Sequence, residues 1–230
     1  MYFQHAPAIW RDFPELVAGV VVARGITPDV DVTAVVTRYQ AVADERLATT
    51  EIGAFPEIQA WRRAFARMGL KPTQYRCASE ALLRRYRKEG ALPRIHPLID
   101  ACNAISLAVA IPVAVFDLAG IDEGLEVRYA TGDETSLSFT GEIEQPAVGE
   151  VIFADAADRV HARRWSNRQT AHSAVRETTD DVLIVTEAMH EGAGGDVERL
   201  VTALVDMLGE TSSITPRTAI LAPDAPRFEY

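Results

Sequence analysis

A change in hydrophobic period at Pro112 is the feature that most constrains what this chain can fold into. Before Pro112, apolar residues recur three or four positions apart, as they do on one face of a helix. After Pro112, short extended runs are separated by Gly, Asp and Pro turns, which is the pattern of β-strands. Helices followed by strands predict the α+β class, with helices packed on a mixed or antiparallel β-sheet or sandwich.

The element boundaries follow from helix and strand signals. Pro56 and Pro97 each open a predicted helix, and Ser79 is predicted to cap the helix between them. The predicted helices cover residues 33–47, 56–68, 79–89, 97–109 and 197–208, the last one capped by Gly209. The predicted strands cover residues 16–26, 113–118, 125–130, 150–155, 160–165, 181–189 and 218–221. Residues 1–13 are predicted to be irregular, and no linker or repeat divides the chain, so one domain over 1–230 is expected.

Several classes of protein are excluded by what the sequence lacks. No apolar run is long enough to cross a bilayer, and the first residues do not form a secretory signal. We therefore expect a cytoplasmic protein. Cys77 and Cys102 are expected to be reduced, partly buried thiols, and no histidine lies at zinc-ligand spacing from either. Phosphate-binding, dinucleotide-binding and serine-hydrolase motifs are absent, so neither a metal nor a cofactor is expected.

Charge is distributed unevenly along the chain. The net charge is −10, which opposes non-specific binding to nucleic acid. Residues 61–95, however, carry ten Lys or Arg against two Glu, a local charge of +8 that leaves −18 for the remainder. Such a segment is able to dock a polyanion locally, while the alternative is a pair of solvated helix faces. The candidate residues for contact with a polyanion in this segment are Arg62, Arg63, Arg84, Arg87 and Lys88.

Two polar clusters are candidates for a binding site. On the helix that starts at Pro97, Asn103 lies three residues from both Asp100 and Ser106, so the three share one edge of the helix. Such groups either bind the polar atoms of a ligand or form interhelical hydrogen bonds. The second cluster is the loop Trp165–Thr170, which follows a predicted strand, as binding loops commonly do. His172 nearby is either a base or an exposed bystander.

Four segments together resemble the B3/B4 domain of the bacterial phenylalanyl-tRNA synthetase beta subunit. They read SEALLRRYRKEGALPRIHPLIDACNAISLAVAIPVAVFDLAGI, VRYATGDE, GEVIFADAADRVHARRWSNRQT and TTDDVLIVTEAM. The resemblance is strongest over residues 76–189, and the opening FQHAPAIWRDFP is similar to free-standing members of the family. It implies a pocket for an aromatic amino acid, beside the place where the charged 3′ end of a tRNA enters. It also makes tRNA the polyanion expected at the candidate residues of the positive segment, so the candidate tRNA-binding residues are Arg62, Arg63, Arg84, Arg87 and Lys88.

The resemblance also implies roles for individual residues. In the synthetase this domain hydrolyses tyrosine wrongly attached to phenylalanine tRNA, and its editing loop contains a functional glutamate. Here Gln169 stands near the place of that glutamate, which puts the synthetase's own specificity in doubt. Arg168 is suited to hold a carboxylate or a terminal phosphate. The predicted catalytic residues are Asn103, Asn167 and Gln169. The predicted substrate-binding residues are His96, Trp165, Ser166, Arg168 and Thr170.

Three functions remain open on this basis. The first is a deacylase that acts in trans on mischarged tRNA by means of a positioned water. The second is a regulator or binding protein that keeps the amino-acid pocket without catalysis. The third is an enzyme that acts on an unrelated amide or ester, since a fold does not determine a function. The sequence specifies neither the amino acid, nor the tRNA, nor the oligomeric state.

Overall fold

Two β-sheets face each other across a hydrophobic core, and helices cover the outer face of the smaller sheet. The computed structural model describes residues 1–230. The helices are α1 (Pro7–Asp12), α2 (Thr33–Thr49), α3 (Pro56–Arg67), α4 (Ala78–Glu89), α5 (Pro97–Val109) and α6 (Ala193–Ser212). The strands are β1 (Tyr2–His5), β2 (Val17–Ala23), β3 (Val113–Asp117), β4 (Gly124–Tyr129), β5 (Thr135–Leu137), β6 (Ile143–Glu144), β7 (Val151–Asp155), β8 (Arg159–Arg163), β9 (Arg168–Gln169), β10 (Val182–Ala188), β11 (Arg217–Leu221) and β12 (Arg227–Glu229). The predicted α+β class is confirmed.

The two sheets differ in topology. The larger sheet has the order β12-β1-β4-β7-β8-β5-β6, with β9 paired to β8, and its β1–β4 and β5–β8 pairs are parallel. The smaller sheet has the order β11-β2-β10-β3 and is antiparallel throughout. Phe116 of the smaller sheet lies 5.4 Å, centroid to centroid, from Phe153 of the larger one. The sheets therefore pack face to face as a sandwich.

The central strand β10 explains why the small sheet is so apolar. Leu183 and Val185 point into the core between the sheets, while Val182 and Ile184 point toward the helices. Each side chain is buried, and each contributes roughly 1.5–3 kcal/mol relative to an exposed position. A strand covered on both faces carries a continuous apolar run instead of an alternating one.

Helices α2, α5 and α6 form the layer outside the small sheet. Their apolar side chains share a second core with the outer face of β2, β10 and β3. Gly19 of β2 permits the close approach of α6, because a Cβ atom at this position would lie 2.5 Å from Val201 Cγ2. The sequence-predicted inward residues Leu98, Cys102 and Ile105 of α5 are buried in this core, as expected. No helix of the chain combines the length and the apolar character that a bilayer span requires.

The N-terminal segment is not irregular, contrary to the prediction. β1 lies between β4 and β12 in the large sheet, and α1 follows it. Phe3 and His5 are buried while their neighbours are less so, which is the alternation of a half-buried strand. Four residues are too few for this period to be recognised locally, and pairing with two distant strands stabilises them.

Two predicted helix caps are also wrong. The N-cap of α4 is Cys77, and Ser79 is buried within the first turn, where its Oγ lies 3.4 Å from Cys77 Sγ. α6 continues through Gly209 and ends at Ser213, which has a left-handed φ of 53°. The packing of Leu208 and the hydrogen bond from Thr211 Oγ1 to the Met207 carbonyl extend the last turn, and they outweigh the low helix propensity of glycine.

The turn after β4 is organised by a buried acid. Burial alone would raise the pKa of Glu134, but donors from the Thr131 amide, Arg128 and the Gly132 amide outweigh burial and lower this pKa to about 2. The carboxylate is fully buried and also forms an ion pair with Arg128. Its charged form therefore stabilises the native turn.

We expect Glu134→Gln to change how the stability of the fold depends on pH. Because the folded-state pKa is depressed, the contribution of the carboxylate is complete above its ordinary pKa of 4.5 and is lost as the pH falls toward about 2. At neutral pH the substitution should lower the free energy of unfolding by about 1–3 kcal/mol. The loss should shrink below pH 4.5 when urea unfolding is followed at a series of pH values. Glu191→Gln, at an exposed position, is the control, and a pH-independent loss in Glu134→Gln would contradict the prediction.

Candidate functional site

A cavity of about 80 Å³ lies between the two sheets at one end of the sandwich. The start of β3, the end of β10, the β7–β8 pair, the turn after β8 and the first residue of α4 all contribute to its wall. Its apolar lining includes Pro112, Phe153, Trp165 and Val185. The polar lining consists of Ser166, Asn167, Arg168, Gln169 and Glu187. An apolar pocket with a few converging polar groups is the usual form of a small-ligand site.

Trp165 supports one wall of this cavity. Its indole is fully buried and packs edge-on against Trp61 at 5.2 Å and against Phe13 at 4.8 Å, centroid to centroid. Edge-to-face aromatic pairs contribute ~0.5–1.5 kcal/mol each beyond the burial of area. Trp165 is therefore both a core residue and a pocket wall, and it brings the turn that follows it to the edge of the cavity.

The turn after β8 has an uncommon backbone. Arg164 and Trp165 are consecutive non-glycine residues with left-handed φ values of 49° and 59°. Each costs roughly 1–2 kcal/mol, which the surroundings must offset. The Trp165 amide donates to the Val151 carbonyl at 2.7 Å, and the Arg164 amide donates to Glu150 Oε1 at 3.0 Å. These two bonds hold the turn in a conformation that presents residues 166–169 to the cavity.

Glu187 supplies a buried carboxylate at the cavity and was not among the site residues predicted from the sequence. Its Oε1 accepts hydrogen bonds from Trp165 Nε1 at 2.9 Å and from His5 Nε2 at 2.6 Å. Its Oε2 has no partner within the protein. The sequence feature that could have indicated Glu187 is its position inside the apolar run of β10, because a carboxylate is rarely buried without a specific reason.

Ser166, Asn167 and Gln169 present acceptor atoms to the cavity. Ser166 Oγ is buried and has no hydrogen-bond partner. The amide nitrogens of Asn167 and Gln169 donate to the backbone carbonyls of Arg76 and Val115, both at 2.7 Å. Each of these amide groups keeps a second N–H, and neither amide oxygen accepts a hydrogen bond within the protein. The structure thus brings five of the sequence-predicted site residues together in one cavity, namely Trp165, Ser166, Asn167, Arg168 and Gln169.

Arg168 and Thr170 differ from Ser166, Asn167 and Gln169 in their surroundings. Arg168 lies at the rim, is exposed, and pairs with Glu144 at 3.4 Å. Thr170 is buried, and its hydroxyl donates to the Val160 carbonyl at 2.6 Å. Thr170 therefore tightens the strand pair, while Arg168 is placed to meet a charged group that approaches the rim.

Asn103 and His96 do not line this cavity. Asn103 faces a separate cavity of about 200 Å³ between α2 and α5, which Gln40, Arg94 and Asp100 also line. His96 is the N-cap of α5, where its Nδ1 accepts from the Leu98 amide at 3.2 Å. Burial lowers the pKa of His96 despite the opposing charges of Asp100 and Glu177. Asn103 and Gln169, which were both predicted to be catalytic, therefore lie in different cavities.

The positive segment is largely neutralised within the protein. Glu80 is buried and binds Arg62 at 2.6 Å and Arg84 at 2.8 Å. Burial of Glu80 opposes ionisation, but the two guanidinium groups outweigh it and lower the pKa of this carboxyl. Arg87 pairs with Glu51 at 2.7 Å. Among the five predicted tRNA-binding residues, Arg63 and Lys88 are exposed and have no carboxylate partner.

Asp155, His161 and Ser173 form a buried hydrogen-bonded series near the turn. A substrate cannot reach the serine hydroxyl, so this series does not serve as a nucleophilic site. His161 contacts Asp155 at 3.1 Å through Nε2 and Ser173 Oγ at 2.8 Å through Nδ1. Burial opposes the charge on Asp155, but hydrogen bonds from His161 and Arg159 lower its pKa. Ser173 is only 1% exposed, so this series ties β8 to the segment after β9. No group of three or more His, Cys, Asp or Glu side chains is arranged to hold a metal ion.

His172 is half-buried beside this series. Its ring centroid lies 5.9 Å from that of His161, and its Nε2 has no hydrogen-bond partner. Burial, together with the nearby His161 and Arg159, lowers its pKa. His172 does not line the cavity between the sheets, so it contacts neither Ser166 nor Gln169 there.

The chain is similar to known proteins over part of its length. A family model described as the B3/4 domain matches residues 60–193. The phenylalanine–tRNA ligase beta subunit of Coxiella burnetii is 32% identical over 101 residues, which is 44% of this chain and 12% of that protein. A crystal structure of an N-terminal fragment of the phenylalanyl-tRNA synthetase beta subunit from Pyrococcus horikoshii has a TM-score of 0.49 and 10% identity, covering 94% of this chain and 49% of that one. The chain thus spans a small part of the curated relative's length.

The bond between Trp165 and Glu187 should be measurable through Trp165→Phe. We expect this variant to lose about 1–3 kcal/mol of unfolding free energy, because it leaves the buried carboxylate with one donor fewer. Trp61→Phe is the matched control, since Trp61 is equally buried and its Nε1 has no partner. Both variants lose similar indole volume, but Trp61→Phe also removes a buried N–H that has no partner, so the difference between them in urea unfolding sets an upper bound on the contribution of the hydrogen bond. Equal losses in both variants would show that the bond contributes nothing.

Proposed function

Since this chain belongs to the B3/4 domain family, we propose that it hydrolyses the ester bond of a mischarged aminoacyl-tRNA in the cavity between its two sheets. The family match and the beta-subunit relative indicate a function connected with aminoacyl-tRNA synthetases. Beyond this connection, we propose the substrate (a mischarged aminoacyl-tRNA), the reaction (ester hydrolysis) and action in trans. One observation supports this proposal, namely an apolar cavity whose polar lining offers several acceptor atoms that have no partner in the protein.

The acceptors match one end of an aminoacyl ester. Glu187 Oε2, the amide oxygens of Asn167 and Gln169, and Ser166 Oγ all belong to residues that line the cavity. An α-ammonium group offers three donors and a positive charge, and it complements such a lining. The apolar wall of Phe153 and Trp165 then receives the side chain of the amino acid, with an aromatic one suited to edge-on packing.

The same lining favours an ester over a free amino acid. A free amino acid carries a carboxylate, which Glu187 would repel across a partly dry cavity. In an aminoacyl ester the carboxyl group is neutral, so the ligand keeps only the positive charge.

Arg168 lies at the rim of the cavity, outside this set of acceptors, and pairs with Glu144. We infer that it meets a phosphate of the tRNA at the entrance.

Catalysis in this proposal rests on a positioned water. Burial raises the pKa of the Cys77 thiol to about 11 and that of Cys102 to about 12, so neither is a thiolate nucleophile at neutral pH. Ser166 Oγ and the Gln169 amide oxygen hold the water against the ester carbonyl, while Glu187 holds the ammonium group. Correct placement alone lowers the barrier, because the attack becomes effectively intramolecular.

The tRNA approaches through its phosphates. The side-chain amide of Asn167 donates to the Arg76 carbonyl, so the positive segment 61–95 contacts the wall of the cavity. Arg63 and Lys88 are exposed and lack a carboxylate partner, which leaves them available to phosphates. Arg62, Arg84 and Arg87 reach phosphates only by sharing the charge that already binds Glu80 or Glu51. This pattern predicts a modest, salt-sensitive affinity.

A second candidate is a binding protein without catalysis. The observation that favours it is the absence of an exposed nucleophile beside the cavity, since Ser173 is enclosed and both thiols are buried. It predicts that a free amino acid or an analogue binds while no ester is cleaved. Titration calorimetry with free aromatic amino acids, run beside the hydrolysis assays, distinguishes it from the deacylase.

Deacylation of a panel of correctly charged and mischarged tRNAs tests the proposal. We expect one mischarged species to be hydrolysed, and Gln169→Ala and Ser166→Ala to slow this reaction by about 10²-fold, because a misplaced water loses its alignment with the ester. Asn103→Ala is the comparison variant, since Asn103 faces the cavity between α2 and α5. A loss of activity in Asn103→Ala alone would move the site to that cavity. No hydrolysis at protein concentrations equal to the tRNA would overturn the proposal.

The role of Glu187 predicts a requirement for a free α-amino group. We expect an N-acetylated aminoacyl-tRNA to be hydrolysed at least tenfold more slowly than its unmodified counterpart, because a hydrogen bond between charged groups is worth about 1.5–3 kcal/mol. Measured as kcat/KM, this difference should largely disappear in Glu187→Gln. If acetylation has no effect on the unsubstituted protein, the ammonium group does not bind at Glu187.

A further inference from the structure

A cleft opens at the edge of the sandwich opposite the cavity. Strands β3 and β10 line the cavity, whereas β2 and β11, the other half of the smaller sheet, line the cleft. The cleft has a volume of about 650 Å³ and is closed on one side by Tyr230, which follows β12 of the larger sheet. Its lining consists of Val22, Arg24, Ser213, Ile214, Thr215, Arg217 and Tyr230. None of these residues lines the cavity proposed for ester hydrolysis.

The lining of this cleft contains two cations and no carboxylate. The whole chain has 33 acidic and 23 basic side chains, so the charge of the cleft is opposite in sign to that of the protein. The hydroxyls of Ser213 and Thr215, in the connection from α6 to β11, have no hydrogen-bond partner within the protein. The polar groups of the lining are therefore able to donate to a ligand that accepts hydrogen bonds and carries negative charge.

Strand pairing places the two arginines close to each other. Arg217 lies opposite Val22 in the antiparallel β2–β11 pair, and Arg24 follows Val22 by two residues. Diagonal neighbours of this kind have side chains about 7–8 Å apart at their bases. Since both side chains also line the same cleft, one small anion is within reach of both guanidinium groups.

Contacts within the protein leave most of the donors of these arginines free. Arg217 donates from Nη2 to the Glu229 carbonyl at 2.8 Å, and its Cζ lies 5.3 Å from the centroid of the Phe228 ring. Arg217 forms no ion pair, so these contacts orient its charge without neutralising it. Arg24 approaches the carboxylate of Asp181 only at 3.7 Å, which is too long for a hydrogen bond. Each guanidinium has five N–H donors and therefore keeps several for a ligand.

Tyr230 contributes a hydroxyl that the fold leaves unsatisfied. Its Oη atom is buried and has no hydrogen-bond partner. Burial raises the pKa of this hydroxyl, so the group remains a donor at neutral pH. A buried polar group without a partner is unfavourable, and a ligand that accepts from it removes this penalty.

We propose that this cleft binds the phosphate group of a small phosphorylated molecule, held by Arg24, Arg217 and the hydroxyl of Tyr230. Guanidinium groups bind phosphate oxygens through pairs of parallel hydrogen bonds, and two guanidinium groups balance the charge of a phosphate dianion. The tetrahedral oxygens of phosphate suit donors that come from separate elements better than a planar carboxylate does. Val22 and Ile214 offer an apolar wall to the rest of the molecule. The inference is independent of the proposed hydrolysis, because the two sites share no residue.

Isothermal titration calorimetry of the full chain with phenyl phosphate and with inorganic phosphate tests this site. We expect one binding event per chain, and Arg24→Ala and Arg217→Ala should each weaken it by about tenfold or more, because each removes a set of charge-assisted hydrogen bonds. Arg217→Lys should weaken binding less than Arg217→Ala, since it keeps the charge and loses the fork. Tyr230→Phe, which keeps the ring, should weaken binding by a smaller factor.

Comparison of the two ligands identifies the source of the phosphate group. Tighter binding of phenyl phosphate would support an organic phosphate whose apolar part contacts Val22 and Ile214. Equal affinities would support free phosphate as the ligand. Succinate that binds as tightly as either phosphate would overturn the proposal, because the cleft would then respond to charge alone.

Arg227→Ala is the matched control. Arg227 lies on the neighbouring surface, pairs with Glu229 at 3.0 Å and stacks 3.9 Å from the Tyr2 ring centroid, but it does not line the cleft. Its substitution should leave the affinity for both phosphates unchanged. An equal loss in Arg227→Ala, or unchanged affinity in Arg24→Ala and Arg217→Ala, would overturn the proposal. The same conclusion would follow if neither phosphate binds at millimolar concentration.

Discussion

A buried carboxylate connects three parts of the molecule that are distant in the sequence. Glu187 on β10 accepts hydrogen bonds from Trp165, in the turn after β8, and from His5 on β1. A carboxylate removed from water is tolerated only when donors surround it, so these bonds are conditions of folding as well as features of the site. They hold the indole in place, the indole holds the left-handed turn, and the turn presents Ser166 and Gln169 to the cavity.

Ion pairs within the fold determine how many of the basic residues in the sequence present an unpaired charge at the surface. The segment 61–95 carries +8 in the sequence, yet Glu80 and Glu51 neutralise several of its arginines. Lys71 of this segment and Arg164 of the turn after β8 have no carboxylate partner, and both lie beside a groove between residues 68–75 and residues 145–151. A positive surface at this position is therefore a product of tertiary structure, in which pairing removes charge from one helix face and leaves it on another.

The sequence predicted the elements that depend on local period and missed those that depend on distant pairing. The apolar run of β10 and the amphipathic face of α5 were found because each carries its pattern within a few residues. β1 and the bond from His5 to Glu187 were not found, since they exist only through partners far along the chain. Asn103 and Gln169 have similar chemistry and both border apolar stretches, and only the packing of α5 against α2 shows that they face different cavities. Residues 166–169 line one cavity together with Glu187, which the sequence did not single out although it lies within one of the segments that carry the resemblance.

The acceptor lining of the cavity also affects how the product leaves after bond cleavage. Under the proposed reaction, hydrolysis converts a neutral ester into a carboxylate within reach of Glu187. A ligand that entered with one positive charge thus becomes a zwitterion whose new negative end is repelled by the wall that held it. Hydrolysis therefore lowers the affinity of the pocket for its own product. Such a site releases its product after each turnover, and free amino acids compete only weakly with the ester substrate for it.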